Sequence, residues 1–303
     1  MLSDINSKAA ERILELLKAD PIAFIGAGLS KPYYKDWPEL IEQLSELMQL
    51  QCTPDIDPII QAQELRIADE KKYIQALISI FGKYPPNCSD SLFRLVKCGF
   101  KSYVTTNFDW SIELALQQDC RPPSEVLSYP NLPSTIYCES GAIHHIHGTI
   151  DASAPEESVL ILDADSYNDA YGGNSALGNY LFDVFFRHNL LFVGYSLAPS
   201  EPINGILDLV ARRVDEYEIR LKKKFIKNNW CCLCATPIDE RNIERIKRLG
   251  IEIIEYDPVC QSFSGLSQIW KHVSDMHRPI PPLEPPSIFN PNDGLKKPDF
   301  LKR

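Results

Sequence analysis

The chain has 303 residues, 44% of them hydrophobic, and carries 31 Lys and Arg against 41 Asp and Glu for a formal charge of −10. That apolar share supports a full core, in one large domain or two ordinary ones. The acidic balance argues against direct nucleic-acid binding, which needs a basic face, and no apolar stretch approaches membrane length.

In chain order, residues 7–19 predict an amphipathic helix with Ile13, Leu14, Leu16 and Leu17 on its apolar side, stopped by Pro21. Charged residues at helical spacing from Asp4 to Lys18 argue against a secretory leader. Ile22-Ala23-Phe24-Ile25 predicts the first buried strand. Further strands are expected at Ser102–Thr105, Ala142–Ile146, Leu190–Val193, Trp230–Cys234 and Ile251–Tyr256, with helices at 176–187, 203–226 and 238–249. Buried apolar strands separated by helices predict an α/β fold with a Rossmann-like, doubly wound parallel sheet.

Residues 38–98 interrupt that rhythm and predict a helical insertion after the first strand. Asp36 and Glu39 form a capping box around Pro38, and further helices are expected near 58–68, 70–81 and 89–98. Seven of the 26 residues in 278–303 are proline, which predicts a linker or extended arm following a domain of residues 1–277. The basic stretch from Arg212 to Lys227 reads as a solvated helix face, with a local anion-binding patch as the alternative. Nine cysteines, an odd count with Cys98, Cys231 and Cys232 in apolar runs, read as free thiols of a reducing cytoplasm.

Three strings sit at strand ends, where a parallel sheet gathers its ligand-binding residues. Gly26-Ala27-Gly28-Leu29-Ser30 follows the first strand; glycines there let backbone amides approach a phosphate, and a plain strand-to-helix turn is the alternative. The dinucleotide fingerprint of dehydrogenases would need glycine at position 31, where Lys31 stands. Lys31 and Lys35 nearby could face a phosphate, with ordinary surface lysines as the alternative. Asn107 and Asp109 follow the second strand: an amide can hold a ribose hydroxyl or a water, and a carboxylate can accept from a nicotinamide amide. Helix capping is the alternative use of both. In the run His144-His145-Ile146-His147-Gly148, strand alternation puts His145 and His147 on one face. His147, at the strand end, suits a general base, with a satisfied core histidine as the alternative. No ligand spacing for a metal accompanies it.

Taken together, these strings resemble the sirtuins, and more closely the sirtuin-like NADases of microbial antiphage defence systems. The matching motifs are Gly26-Ala27-Gly28-Leu29-Ser30, Thr105-Thr106-Asn107-Phe108-Asp109, His147-Gly148 and Gly194-Tyr195-Ser196, in order, over roughly residues 10–275. The resemblance implies that Gly26, Ala27, Gly28 and Ser30 bind NAD, and that Asp109, Gly194 and Ser196 contact it as well. It implies that Asn107 orients the nicotinamide ribose or the attacking water and that His147 is the base. Tyr256 and Asp257 would border adenine.

Protein-deacetylating sirtuins carry two Cys-x-x-Cys pairs for zinc after the His-Gly; this chain lacks that set, and Cys232-x-Cys234 is too tight and lies in an apparent strand. Thr106 replaces a glutamine, and the defence NADases usually place Asp where Pro199-Ser200-Glu201 stand here. The expected activity is therefore hydrolysis of NAD to nicotinamide and ADP-ribose, without metal, by a cytoplasmic defence effector. Such an enzyme is expected to be gated as a homo-oligomer, by a regulatory partner or by a further domain. The alternatives are an NAD-dependent ADP-ribosyltransferase or protein deacylase, and a non-catalytic nucleotide-binding module.

Overall fold

A computed structural model describes residues 2–51, 56–133, 141–151, 154–173, 175–197, 201–221, 229–259 and 264–277. The expected arm at 278–303 lies outside the described residues, as do Lys222–Lys224 and Lys227.

Helix α1 (Asp4–Leu17) begins earlier than its apolar spacing suggests, because the Ser3 side chain accepts from the Asn6 amide and caps it. It leads into β1 (Ile22–Ile25), buried throughout. Helices α2 (Trp37–Met48), α3 (Pro58–Ala68), α4 (Glu70–Phe81) and α5 (Asp90–Val96) follow, and the Asp36–Glu39 capping box on α2 forms with both of its hydrogen bonds. After β2 (Ser102–Thr105) and α6 (Ser111–Gln118) come β3 (Val126–Ser128) and β4 (Ala142–His145). The chain continues through α7 (Ala164–Tyr171), α8 (Ala176–Arg187), β5 (Leu190–Val193), α9 (Ile203–Leu221), β6 (Trp230–Ala235), α10 (Glu240–Arg248), β7 (Glu252–Tyr256) and α11 (Ser264–Met276).

The seven strands form one sheet in the order β3-β4-β2-β1-β5-β6-β7, and every pairing is parallel. Strand alternation sends Ala23 and Ile25 to one face with α1, α5, α6 and α11, and Ile22 and Phe24 to the other with α7, α8, α9 and α10. Both faces are covered, which is why the central strands β1 and β5 read as unbroken apolar runs. Helices α2, α3 and α4 collect a third cluster around Leu44, Leu65 and Leu77, whereas α5 packs in the sheet's own layer through Leu92, Leu95 and Val96. No helix among the described residues is long and apolar enough to cross a membrane.

The order reverses at β1: the chain moves to β2 on one side and later returns to β5 on the other. In open α/β sheets the ligand crevice opens at such a reversal, outside the carboxyl ends of the strands. The loops leaving β1, β2 and β5, and the turn after β4, carry all the expected site residues.

Candidate functional site

A cavity of about 560 Å³ opens at this reversal. Eight of the nine expected site residues line it: Ala27, Gly28, Ser30, Asn107, Asp109, His147, Gly194 and Ser196. The ninth, Gly26, lies behind the wall, against the β5 loop. Its amide donates to the Val193 carbonyl at 3.0 Å, and the Gly28 amide donates to the Gly194 carbonyl at 3.0 Å. A Cβ on Gly26 would stand 2.4 Å from the Gly194 carbonyl oxygen, and Gly194 itself has φ +64°. Glycine at both positions lets the two loops touch backbone to backbone.

One hydroxyl joins the first two motifs. Ser30 Oγ donates to Asp109 Oδ2 at 2.8 Å and accepts from Asn107 Nδ2 at 3.0 Å. Asp109 Oδ1 also accepts from the Ser111 amide at 3.0 Å, one residue past Trp110, the N-cap of α6, so Asp109 both lines the cavity and steadies the start of that helix. Burial raises the Asp109 pKa, against the opposing effect of hydrogen bonds from Ser111 and Ser30 and the nearby His145. The Asn107 amide donates to Thr105 Oγ1 at 3.0 Å, and Thr105 Oγ1 donates in turn to the Ile25 carbonyl at 2.9 Å. The ends of β1 and β2 are thereby fixed to each other.

His147 is buried, and burial pushes its pKa down to about 3. It is neutral near pH 7 and keeps a lone pair. Its Nε2 lies 2.7 Å from the Tyr171 hydroxyl, and its ring stands edge-on to Tyr167 and Tyr171. His145 does not share that surrounding. Strand β4 ends at His145 and turns at Ile146, so alternation stops there; both His145 nitrogens bond inward, to the Asn107 carbonyl and to Glu113. His144 stacks on Tyr180 on the opposite face, and burial lowers its pKa to about 4.

Several residues at the cavity were not expected. Tyr167 lines it, and Tyr171, four residues on along α7, reaches the site only through its hydroxyl on His147; the capping box of Asp163 and Ser166 that starts α7 was the available signal. The Tyr195 hydroxyl donates to Glu201 Oε2 at 2.7 Å, and burial raises the Glu201 pKa. Glu201 lines the cavity; Pro199 and Ser200 lie outside the described residues. Trp37 and Asp57 bring the α2–α4 insertion to its rim.

Lys31 and Lys35 line the cavity, and the Lys31 ammonium is also held by Asp36 and Glu39 at 2.6 and 3.2 Å. One expectation changes. Tyr256 and Asp257 stand away from the cavity: Tyr256 packs in the α1–α11 layer, and the Asp257 backbone bonds the Asn6 side chain. A larger cavity, about 800 Å³, opens between α3, α4 and α7, and none of the expected site residues lines it.

The described cysteines are free thiols. Cys232 and Cys234 lie Sγ to Sγ at 3.7 Å on one face of β6 while Cys231 points to the other. Among the described residues, no group of three or more His, Cys, Asp or Glu side chains is placed to hold a metal ion.

Residues 101–229 match the family model described as a SIR2-like domain. The chain is 25% identical over 278 residues to NAD(+) hydrolase ThsA of Enterococcus faecium, covering 84% of this chain and 55% of that protein. It is 29% identical over 158 residues to NAD(+) hydrolase ThsA of Acinetobacter baumannii (strain 532279), covering 50% and 32%. With NAD(+) hydrolase ThsA of Bacillus cereus (strain MSX-D12) it shares 25% over 183 residues, covering 56% and 38%. The chain thus spans about half the length, or less, of these curated relatives. The chain is thus similar to a SIR2-like domain over residues 101–229 and, over half of its length or more, to proteins named NAD(+) hydrolase ThsA.

Proposed function

We propose that this chain is an NAD⁺ glycohydrolase that breaks the bond between nicotinamide and ribose. The observation that carries the reading is the Ser30 hydroxyl, which holds Asn107 and Asp109 beside the glycine turn in one cavity with a neutral His147. The turn after β1 and the Gly194–Ser196 loop would take the dinucleotide, with the pyrophosphate against backbone amides. Asp109 would accept from the nicotinamide amide. Asn107 would orient the ribose or the incoming water.

In the proposed reaction the C–N bond breaks and its electron pair leaves with nicotinamide. The sugar becomes an oxocarbenium-like cation, to which water adds, and the water's proton passes to His147. The products are nicotinamide, ADP-ribose and one proton. A base as weak as this buried His147 suits the step, because water attacking a cation needs little proton removal in advance. Burial of the cavity strengthens the fixed dipoles that face the cation. The lack of two Cys-x-x-Cys pairs favours hydrolysis over deacylation.

We attach to this reading a cytoplasmic defence role and gating by assembly, either of the chain with itself or with a partner. Support comes from Trp37 and Asp57, through which the α2–α4 insertion borders the cavity, so contacts that move those helices would change access to it. The central experiment incubates the purified chain with NAD and follows nicotinamide release with and without an acylated peptide. Release without peptide supports hydrolysis. Release that requires the peptide points to acyl or ADP-ribosyl transfer, and binding without release points to a nucleotide-binding module. Turnover per chain across a wide concentration range, beside light scattering, tests the gating; constant activity from a strict monomer would refute it.

A further inference from the structure

The histidine beside the expected base has an unusual set of partners. His145 Nδ1 lies 2.8 Å from the Asn107 carbonyl oxygen, and its Nε2 lies 2.7 Å from Glu113 Oε1 on α6. Both side chains are fully buried, and neither lines the cavity. A carbonyl oxygen only accepts, so Nδ1 carries a hydrogen and donates it. The Glu113 carboxylate accepts from a second hydrogen, on Nε2, so the ring is held as the imidazolium, and Trp110 packs against it at 5.8 Å. Burial lowers the His145 pKa, but the Glu113 charge and hydrogen bond, the Asn107 carbonyl and the Asp109 charge together raise the value overall.

Such a pair is costly. Burying two charges consumes most of their attraction, and apolar groups of similar size are often as stable or more so. Glu113 Oε2 adds to the cost, since it has no hydrogen-bond partner. Stability alone therefore gives no reason for the pair. Its position gives one: it ends on the backbone of Asn107. With the Asn107 amide on Thr105 and its side chain on Ser30, the His145 bond completes a three-point hold drawn from β2, β4 and the glycine turn.

We propose that His145 and Glu113 are positioning residues that fix the Asn107 carbonyl and so set its side-chain amide against the bond to be cleaved. This rests on the NAD-cleaving reading above. The two residues touch no substrate; they act through Asn107.

The test compares two variants of the full chain. His145→Phe with Glu113→Leu removes the pair and the donor together while keeping the interior apolar and filled. It is expected to lower kcat about 100-fold with KM for NAD within about threefold of wild type. Glu113→Gln keeps a neutral imidazole able to donate from Nδ1, and is expected to lose only about fivefold in kcat. Proton NMR of the wild type is expected to show the His145 ring N–H resonances far downfield and slow to exchange, and the double variant to lack them. A folded double variant with wild-type kcat overturns the proposal, as does a change in KM alone. Absence of those resonances from the folded wild type overturns it too. Should the double variant not fold, Glu113→Gln decides: reduced kcat at unchanged KM supports the proposal, and unchanged kcat overturns it. No nicotinamide release by the wild type at any chain concentration overturns the hydrolase reading for this chain, whereas release that ignores both variants refutes only the positioning role.

Discussion

Replacing Gly26 by alanine places one methyl group where two loops already touch. The new Cβ would lie 2.4 Å from the Gly194 carbonyl oxygen and 2.8 Å from the Tyr195 Cα, both of them backbone atoms with no rotamer to yield. Ordinary contact needs about 3.5 Å, so the β1 and β5 loops must part by about 1 Å. Overpacking of that kind costs about 1–3 kcal/mol. The parting also weakens the Gly26-to-Val193 and Gly28-to-Gly194 hydrogen bonds, each contributing about 1 kcal/mol. A loss of roughly 2–5 kcal/mol leaves a domain of ordinary stability folded. The larger effect falls on chemistry: a displacement of about 1 Å in a positioning loop costs about 100-fold in rate. Urea denaturation and nicotinamide release measure the two effects separately. Gly205→Ala is the comparison, because Gly205 lies within α9 and a methyl group added there would meet no atom within 4 Å. It is expected to stabilise by about 0.5–1 kcal/mol with turnover unchanged. Wild-type stability and turnover in Gly26→Ala would show that the loops yield freely and that their close approach does not require glycine.

Asn107→Ala and His147→Ala are each expected to abolish NAD cleavage while circular dichroism remains native; near-wild-type turnover in either folded variant removes that residue from the mechanism. Tyr171→Phe frees the His147 ring on one side and is expected to slow turnover about tenfold with little change in the unfolding midpoint. Folded His144 and His147 stay neutral down to about 4 and about 3, whereas in the unfolded chain both protonate near 6.5. The unfolded state then binds more protons, so stability falls as pH drops below about 6.5, by about 2 kcal/mol for each residue at about pH 5. His145, with its pKa raised, works in the opposite sense: its contribution is complete below the unfolded value and is lost as pH rises through the folded one. His144→Phe should therefore flatten the acid side of a urea-midpoint profile, and an unaltered profile would contradict the burial argument. Elemental analysis is expected to find no stoichiometric zinc, and chelation to leave NAD cleavage unchanged; a zinc-to-protein ratio near one would revive the deacylase alternative.

The sequence marks β1 and β5 to the residue because each is an apolar run buried on both faces, and β2 because Tyr103 and Val104 sit between short β-compatible Ser and Thr. Helix α2 is equally plain, since Asp36, Pro38 and Glu39 write its start into the chain. Three elements escaped. Strand β3 is a three-residue edge, too short for a period. Helix α7 buries only Tyr167 and Ala170 among polar residues, and it took the two tyrosines around His147 out of sight with it. Helix α11 carries Leu266, Ile269, Trp270 and Val273 at clear helical spacing, and that pattern was there to be read. At the site, motif order brought out the cavity-lining residues, because loops at one edge of a parallel sheet must meet. The His145–Glu113 pair could not emerge that way: α6 and β4 are distant in sequence, and only packing brings the carboxylate to the ring.

The Ser30 hydroxyl also constrains how this domain could be recombined with a relative. Its partners, Asn107 and Asp109, lie beyond the whole α2–α5 segment. A crossover anywhere between residues 31 and 106 would leave the serine on one parental segment and its amide and carboxylate on the other. If the incoming half supplied a residue that cannot both donate and accept at position 30, the β1 turn and the β2 loop would lose their shared bond while every strand still paired. Such a chimera would fold and yet be split at its site. Segment exchange within this architecture therefore has to keep residues 30 to 109 together, helical insertion included, whereas α8 and α10 lie outside that block.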